Sequence, residues 1–538
     1  MKRSDRSQIL FQYGRRWHTL TRAGYIPTAA SLLLAQAFLL LLWLVMGTFP
    51  ARAQTEAKPP DPCTRGHEFA TTDCALTWHG ITVYGAYDVG VGWVSHGLPG
   101  NGYNYEGASL VNRNGYQHRF LVAPNNLQQT GLGIKAKEEF LPGWSVVFNA
   151  STGINPQSGL LANASKTDVI NNGLPRNSYS YVVDGARAGQ PFNDEIYAGI
   201  SSAHFGTLTF GRQRSLGTDA MLLYDPAGGS YAFSYIGYNG TMAGGGDTEN
   251  SRWDDAVKYR IKYGPVHFGA MYKFADGSGG CYSATAGWTA ATCTPESAHN
   301  NAYGFDLGAE YGKFSADIVP QHYNQAISVL NPLLGPQSPT QPYQSTVNSI
   351  NTSQITGANL IDPNDTVYGI VTDNYGILVA AKYAWDPFRF FAGYEYIWQK
   401  NPKNPLGVGA SDQGGYFMSG VEDNNLDSEK LVNISRTGVK YTYRSKTDIT
   451  FAWYQQRQNT FRVPPTCAPG NFRSSCAGTL NERSLYVDHH FTKRFDGFAG
   501  VAYSWVSGGL GIAIPHGPGV PYNSNNNLAP TVGGRFTF

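Results

Sequence analysis

The sequence is poor in charge, in cysteine and in long apolar runs. Only 14% of its 538 residues are charged while 13% are aromatic, a balance that excludes a disordered polar chain. Mean hydropathy is -0.31, and after Gln54 no segment holds the roughly 18 consecutive apolar residues of a spanning helix. A helical membrane bundle is excluded, and six cysteines spread over such a length exclude a small stapled domain. Cationic excess is missing too: residues 1–53 hold seven Lys/Arg and one Asp, so 33 basic residues face 37 acidic ones afterwards, a net of about −4. Nucleic acid is therefore not an expected partner.

Motifs for catalysis are equally scarce. No G-x-S-x-G elbow, phosphate-binding P-loop or H-E-x-x-H helix occurs, so nothing local marks an enzyme, a cofactor or a metal. Gly97 to Gly102 misses the dinucleotide spacing. His489 and His490 are adjacent, and adjacent residues of a strand point to opposite sides. The aromatic and basic residues of Tyr259 to Tyr263 alternate as well, which separates any base-stacking face from its cations.

What is present begins with an export pattern. Lys2, Arg3, Arg6, Arg15, Arg16 and Arg22 precede an apolar run from Ala29 to Gly47, followed by Ala51-Arg52-Ala53. Residues 1–53 read as a signal peptide cleaved after Ala53, with an uncleaved inner-membrane anchor as the competing reading. Residues 54–76 form an extension with a cysteine pair. The cysteines fall in three near pairs, Cys63 with Cys74, Cys281 with Cys293 and Cys467 with Cys476. In an exported chain this spacing suggests three local disulfides, each closing a loop of about ten residues and contributing about 2 to 3 kcal/mol.

Strand periodicity dominates the rest. In Trp253 to Tyr263 one parity carries Trp253, Asp255, Val257, Tyr259, Ile261 and Tyr263, and the other Asp254, Ala256, Lys258, Arg260 and Lys262. Only a period of two separates these sets. Val266 to Phe274 continues the pattern after Gly264-Pro265. Similar short turns occur near Pro142-Gly143, Phe205-Gly206, Gly312-Lys313, Asp386-Pro387, Ser445-Lys446 and Lys493 to Gly497. Between these hairpins lie long stretches rich in Gly, Asn, Ser and Pro. Seven hairpins, a first strand from Trp78 to Ser95 and a last from Leu528 to Phe538 give 16 strands over residues 77–538.

Short turns on one side and long loops on the other predict an all-β, transmembrane antiparallel barrel. A cation facing lipid near the midplane costs about 2 to 4 kcal/mol, so Lys258, Arg260, Lys262, Arg436, Lys440 and Arg444 are expected to face a wet interior. Trp385, Trp398, Tyr383 and Trp505 suit interfacial girdles.

Several stretches carry a resemblance: Ile81 to Gly90 (ITVYGAYDVG), Gly131 to Phe140 (GLGIKAKEEF), Phe205 to Gln213 (FGTLTFGRQ), Asp254 to Tyr259, Phe268 to Tyr272, and the terminal GGRFTF. Together and in order they resemble the trimeric general porins of Gram-negative outer membranes, of the betaproteobacterial type. The resemblance implies a homotrimer in contact with outer-membrane lipid and lipopolysaccharide. It also implies recognition of the strand ending in Phe538 by the barrel-assembly machinery, and passive diffusion of ions and small hydrophilic solutes.

In that family the third long loop folds into the barrel and sets acidic residues against wall arginines. Here the loop is about 215–251. The candidate constriction is Lys135, Arg212, Arg252, Lys258 and Arg260 facing Asp219, Asp225, Asp247 and Glu249. Two departures stand out: Gly131 where many relatives carry Arg, and a Gly-rich run, Met242 to Gly246. Arg212 shares the parity of outward Leu208 and Phe210, so its place in the pore requires a bulge. A basic wall suggests a mild anion preference, opposed by inward acids such as Asp88, Asp306, Asp317, Glu395 and Asp488. Alternatives are a substrate-specific channel with an aromatic track (Tyr224, Tyr231, Phe233, Tyr235, Tyr238), a barrel hydrolase, and a loop-built adhesin.

Overall fold

The computed structural model describes residues 62–64, 68–69, 72–97, 117–124, 126–154, 156, 191–234, 252–274, 301–324, 373–400, 428–461, 467, 476–508 and 526–538, with two short loop ladders at 282–283/287–288 and 328–329/369–370. The export segment, Cys281, Cys293, Tyr235, Tyr238, Asp247 and Glu249 lie outside the described residues.

Sixteen barrel strands follow one another in order: β1 (Ile81–Gly97), β2 in two pieces (Gln117–Pro124 and Gly131–Leu141), β3 (Trp144–Gly153), β4 (Glu195–Ser202), β5 (Gly206–Arg214), β6 (Arg252–Tyr263), β7 (Val266–Lys273), β8 (Ala302–Tyr311), β9 (Phe314–Tyr323), β10 (Asp373–Trp385), β11 (Phe388–Lys400), β12 (Lys430–Tyr443), β13 (Thr447–Gln458), β14 (Gly478–His490), β15 (Phe495–Gly508) and β16 (Asn526–Thr537). Each pairs antiparallel with its neighbours, and β16 closes on β1, with Ala86 opposite Thr537 and Gly92 opposite Thr531. Closure leaves the barrel no free edge, which is what lipid demands of strands. All seven turns at one end are only two to four residues long, as the hairpin reading requires.

Burial is inverted relative to a soluble protein. Along β13, Ile449 and Phe451 are exposed while Thr450, Tyr454 and Gln456 are buried; along β14, Leu485 and Val487 are exposed while Glu482 and Ser484 are buried. The apolar parity faces outward and the polar parity inward, the pattern of a barrel with lipid outside and water inside. Tyr383, Trp385, Phe388, Tyr443, Phe491 and Phe495 crowd the outer surface near the short turns.

Four local readings change. The strand expected from Trp78 begins at Ile81: His79 and Gly80 turn with positive φ, and Leu76–Trp78 folds back to pair with Ile81–Val83. The second strand, expected as one run leading to the turn at Pro142-Gly143, is in two pieces. It breaks at 126–130, where the buried Asp88 carboxylate accepts hydrogen bonds from the backbone N–H of Asn126, Leu127 and Gln128. Trp253 points inward against Tyr323, at 5.9 Å between ring centres, because Asp255 with φ +51° adds a residue that shifts the parity ahead of it. Arg444 sits in the β12–β13 turn with positive φ and lies over the Tyr443 ring. The disulfides Cys63–Cys74 and Cys467–Cys476 are both formed.

Candidate functional site

The loop after β5 enters the barrel as a short helix, α1 (Leu216–Tyr224). Ser215 caps it, its side chain accepting from the Thr218 N–H. Leu216, Ala220, Met221 and Tyr224 are buried in one cluster with Met271, Val319, Leu378, Ala380 and Ile397 of the inner wall. The apolar core of this protein is thus the seam between loop and wall. Gly217 N–H donates to Gln321 Oε1 at 2.7 Å, and Tyr224 Oη donates to Asp317 Oδ1 at 2.8 Å.

Past the helix, the Asp225 carboxylate accepts from Tyr454 Oη at 2.8 Å and from Gly229 N–H at 2.6 Å. Burial pushes this carboxyl above its ordinary value. The chain then reaches β14 and β15, where Phe233, fully buried, stacks on Tyr486 at 4.6 Å and meets Phe498 edge-on. Ser230 Oγ and Ala232 N–H donate to the Asn126 carbonyl, exposed by the break in β2. The inward loop is therefore fastened to the wall at successive points from β7 to β15 and again at β2.

Glycines leave room for it. A Cβ at Gly438 would lie 2.5 Å from Pro226 Cβ, and one at Gly500 2.8 Å from Phe233 Cε1. No larger residue fits at either berth without moving the loop.

The predicted residues separate into groups. Lys258 and Arg260 both reach Asp219 of α1, at 2.5 and 2.7 Å. Burial opposes the charge on Asp219, but these two cations outweigh it and hold its carboxyl below the ordinary range. Arg212 is buried, 6% exposed, beside the expected bulge: the β5–β6 register shifts between Gly211 and Gln213, and Gly211 takes φ +125°. Its guanidinium is 2.5 Å from Asp254 and donates to the Asn193 carbonyl, so it braces the wall. Arg252 pairs with Asp194 at 2.5 Å. Asp225 belongs to the Tyr454 side of the lumen, away from the arginine group. Lys135 stands on β2, its Nζ 5.3 Å from the centre of the Tyr84 ring.

Sequence reasoning missed Arg214, Asp194 and Glu195. Arg214, one-third exposed, pairs with Asp194 at 3.3 Å, and its N–H donates to Glu195. A signal was present: Asp194-Glu195 leads into β4, whose partner β5 ends in Arg212-Gln213-Arg214. The aromatic track is corrected. Tyr224 and Phe233 are fully buried in the loop–wall seam and Tyr231 is 7% exposed, so none offers an open stacking face.

Two groups gather three potential metal donors within 4.8 Å, His267–Asp306–Asp317 and Asp488–His490–Asp496. In each a guanidinium already engages the carboxylates, Arg260 at 3.4 Å from Asp306 and Arg535 at 2.6 Å from Asp496. Both are arranged as ion-pair networks.

Between loop and wall the lumen stays open. A cavity of about 680 Å³ runs past Thr218, Leu222 and Gly229 on the loop and Arg214, Arg252, Lys440 and Arg535 on the wall. Nearer the short turns, about 460 Å³ is bordered by Lys382, Arg389 and Lys440 against Glu310.

A family model described as Gram-negative porin matches residues 41–509. An outer membrane porin protein of Bordetella pertussis is 23% identical over 197 residues, which are 36% of this chain and 43% of that relative; the match spans less than half of the relative's length. Among solved structures, an anion-selective porin from Comamonas acidovorans superposes with a TM-score of 0.50 at 14% identity, over 85% of this chain and 99% of that one.

Proposed function

The chain belongs to the Gram-negative porin family of the outer membrane, and on that premise we propose that it is a water-filled channel for passive diffusion of ions and small hydrophilic solutes, its bore set by the inward loop. One observation carries this: the loop crosses the interior, fastened on several strands, yet leaves a charged cavity of about 680 Å³ beside it. The constriction is the gap between α1 with its following turn and the wall bearing Arg214 and Arg252. Asp219, Lys258 and Arg260 fix the loop's position, and no chemical step is involved.

Anions pass more readily than cations. Arg214 and Lys440 remain partly exposed to the lumen, at 33% and 23%, whereas the acids beside them, Asp194, Asp448 and Asp488, are 11 to 15% exposed and engaged with cations. Rings of accessible charge set the ionic preference of a pore. In planar bilayers under a salt gradient, the reversal potential has the sign of anion selectivity; a cation-selective sign overturns this constriction. The chain works as a homotrimer in lipid and lipopolysaccharide, inserted by the barrel-assembly machinery through its Phe538 strand after removal of residues 1–53.

A further inference from the structure

The N-terminal extension is fastened to the barrel at one particular place. Its disulfide Cys63–Cys74 closes a loop that Cys63 N–H, donating to the Ala75 carbonyl, and a bridge between Pro62 and Ala75 hold against the following chain. Inside the loop the Glu68 carboxylate accepts from the Thr64 N–H and hydroxyl, both at 2.8 Å. The chain then forms the short strand Leu76–Trp78, turns at His79-Gly80 and becomes β1.

The partners of this loop lie across the closure. Arg494, in the β14–β15 turn and 8% exposed, donates through Nε to the Phe69 carbonyl and through Nη2 to the Cys74 carbonyl. Its guanidinium lies 4.3 Å from the centre of the Phe69 ring. That ring meets Phe536 of β16 edge-on at 5.9 Å. On the same side of β1, Leu76–Trp78 pairs with Ile81–Val83 just where β16 runs out, the ladder ending in mutual hydrogen bonds between Gly85 and Phe538. The loop is covalently continuous with the first strand and docked on the last two.

We propose that residues 62–80 are a disulfide-closed clasp that locks the seam between β1 and β16. The contacts on Arg494 and Phe536 exist together with β1 only when the barrel has closed, so the clasp completes a closed barrel. A reduced loop has many more conformations to lose on docking, and the disulfide removes most of them beforehand. Closing it converts two thiols to one disulfide; two electrons and two protons pass to the disulfide of a periplasmic thiol oxidase, which leaves as a dithiol. The clasp lies at the short-turn end, on the periplasmic side of a barrel of this kind, where such an oxidant is available.

Hydrogen exchange of the full-length protein in detergent tests this independently of what the pore conducts. In C63S/C74S, peptides covering 81–92 and 526–538 exchange at least tenfold faster than in the wild type, while those of β8 to β12 are unchanged. R494A, with its disulfide intact, shows the same local acceleration. Should the double variant fail to assemble, wild-type barrels reduced after folding give the same comparison, with C467S/C476S as the control for the other described disulfide. Unchanged seam exchange, an acceleration spread evenly around the barrel, or a seam effect reproduced by C467S/C476S overturns the proposal.

Discussion

Replacing Phe233 by alanine separates the stability of the loop from that of the barrel. The ring is fully buried between Tyr486 and Phe498, and its position depends on the missing side chain of Gly500. Removing a buried phenylalanine costs about 3 to 5 kcal/mol. None of that acts on the strand ladders, because Phe233 contributes no hydrogen bond to them. The cost falls on docking of the loop around Phe233, where Ser230 and Ala232 keep their hydrogen bonds to the Asn126 carbonyl. At about 1.4 kcal/mol per factor of ten, the undocked population rises by about two to three and a half powers of ten. Single-channel recordings of Phe233→Ala show open-current noise and brief conductance excursions absent from the wild type, while the folded band on unheated gels persists to nearly the same temperature. Gly500→Leu expels the same ring from the opposite side and gives the same recordings. A quiet F233A channel with wild-type conductance, or loss of the folded barrel itself, refutes the reasoning.

Other outcomes follow from the same geometry. Arg214→Glu reverses a one-third-exposed cation on the wall of the open cavity, and the reversal potential in a salt gradient moves toward cation selectivity. Asp219→Asn leaves Lys258 and Arg260 facing each other without their shared carboxylate; the partial exposure of Asp219 limits the cost to about 1 to 3 kcal/mol, read as a noisier current at neutral pH. The folded Asp219 carboxyl sits below its ordinary value, so its contribution is complete above about pH 4 and is lost as pH falls through the lower folded value. Wild-type current noise then rises toward that of D219N only in acid. Ile449→Arg puts a cation on the lipid face at a cost of about 2 to 4 kcal/mol, and the yield of folded barrel in bilayers drops.

The strand count, turn positions and inward cations other than Arg444 were legible because each depends on a period of two repeated over ten or so residues, which lipid enforces on one face. Single-residue irregularities left no such trace. Nothing in the composition around Asp255 signals that it adopts a left-handed conformation and turns Trp253 inward, nor that Asp88 folds the chain at Asn126 away from a continuous strand. Arg212 shows the boundary between the two cases. The clash of its parity with Leu208 and Phe210 was visible and required a bulge, but only the packing reveals that the bulge delivers Arg212 to Asp254 and leaves Arg214 to face the lumen. The aromatic residues of the loop misled for a related reason: a loop that lies inside a barrel has a wall to pack against, so its Tyr and Phe make a core as they would in a soluble protein.

The glycine at position 131 has its explanation in the same backbone. A Cβ there would lie 2.4 Å from the Thr152 carbonyl oxygen, so the strand that resumes after the 126–130 break admits no side chain at that point, arginine included. What the break provides instead is the Asn126 carbonyl, presented to the loop where Asp88 holds the Asn126 N–H and used to fasten the loop through Ser230 and Ala232. One stretch of β2 cannot both bend to present that carbonyl and keep a regular pleat for a pore-lining cation. Cations of the cavity wall lie instead on other strands: Arg214 and Arg252 on β5 and β6 flank the same acid, Asp194, and the loop fastened to Asn126 faces them across the open cavity.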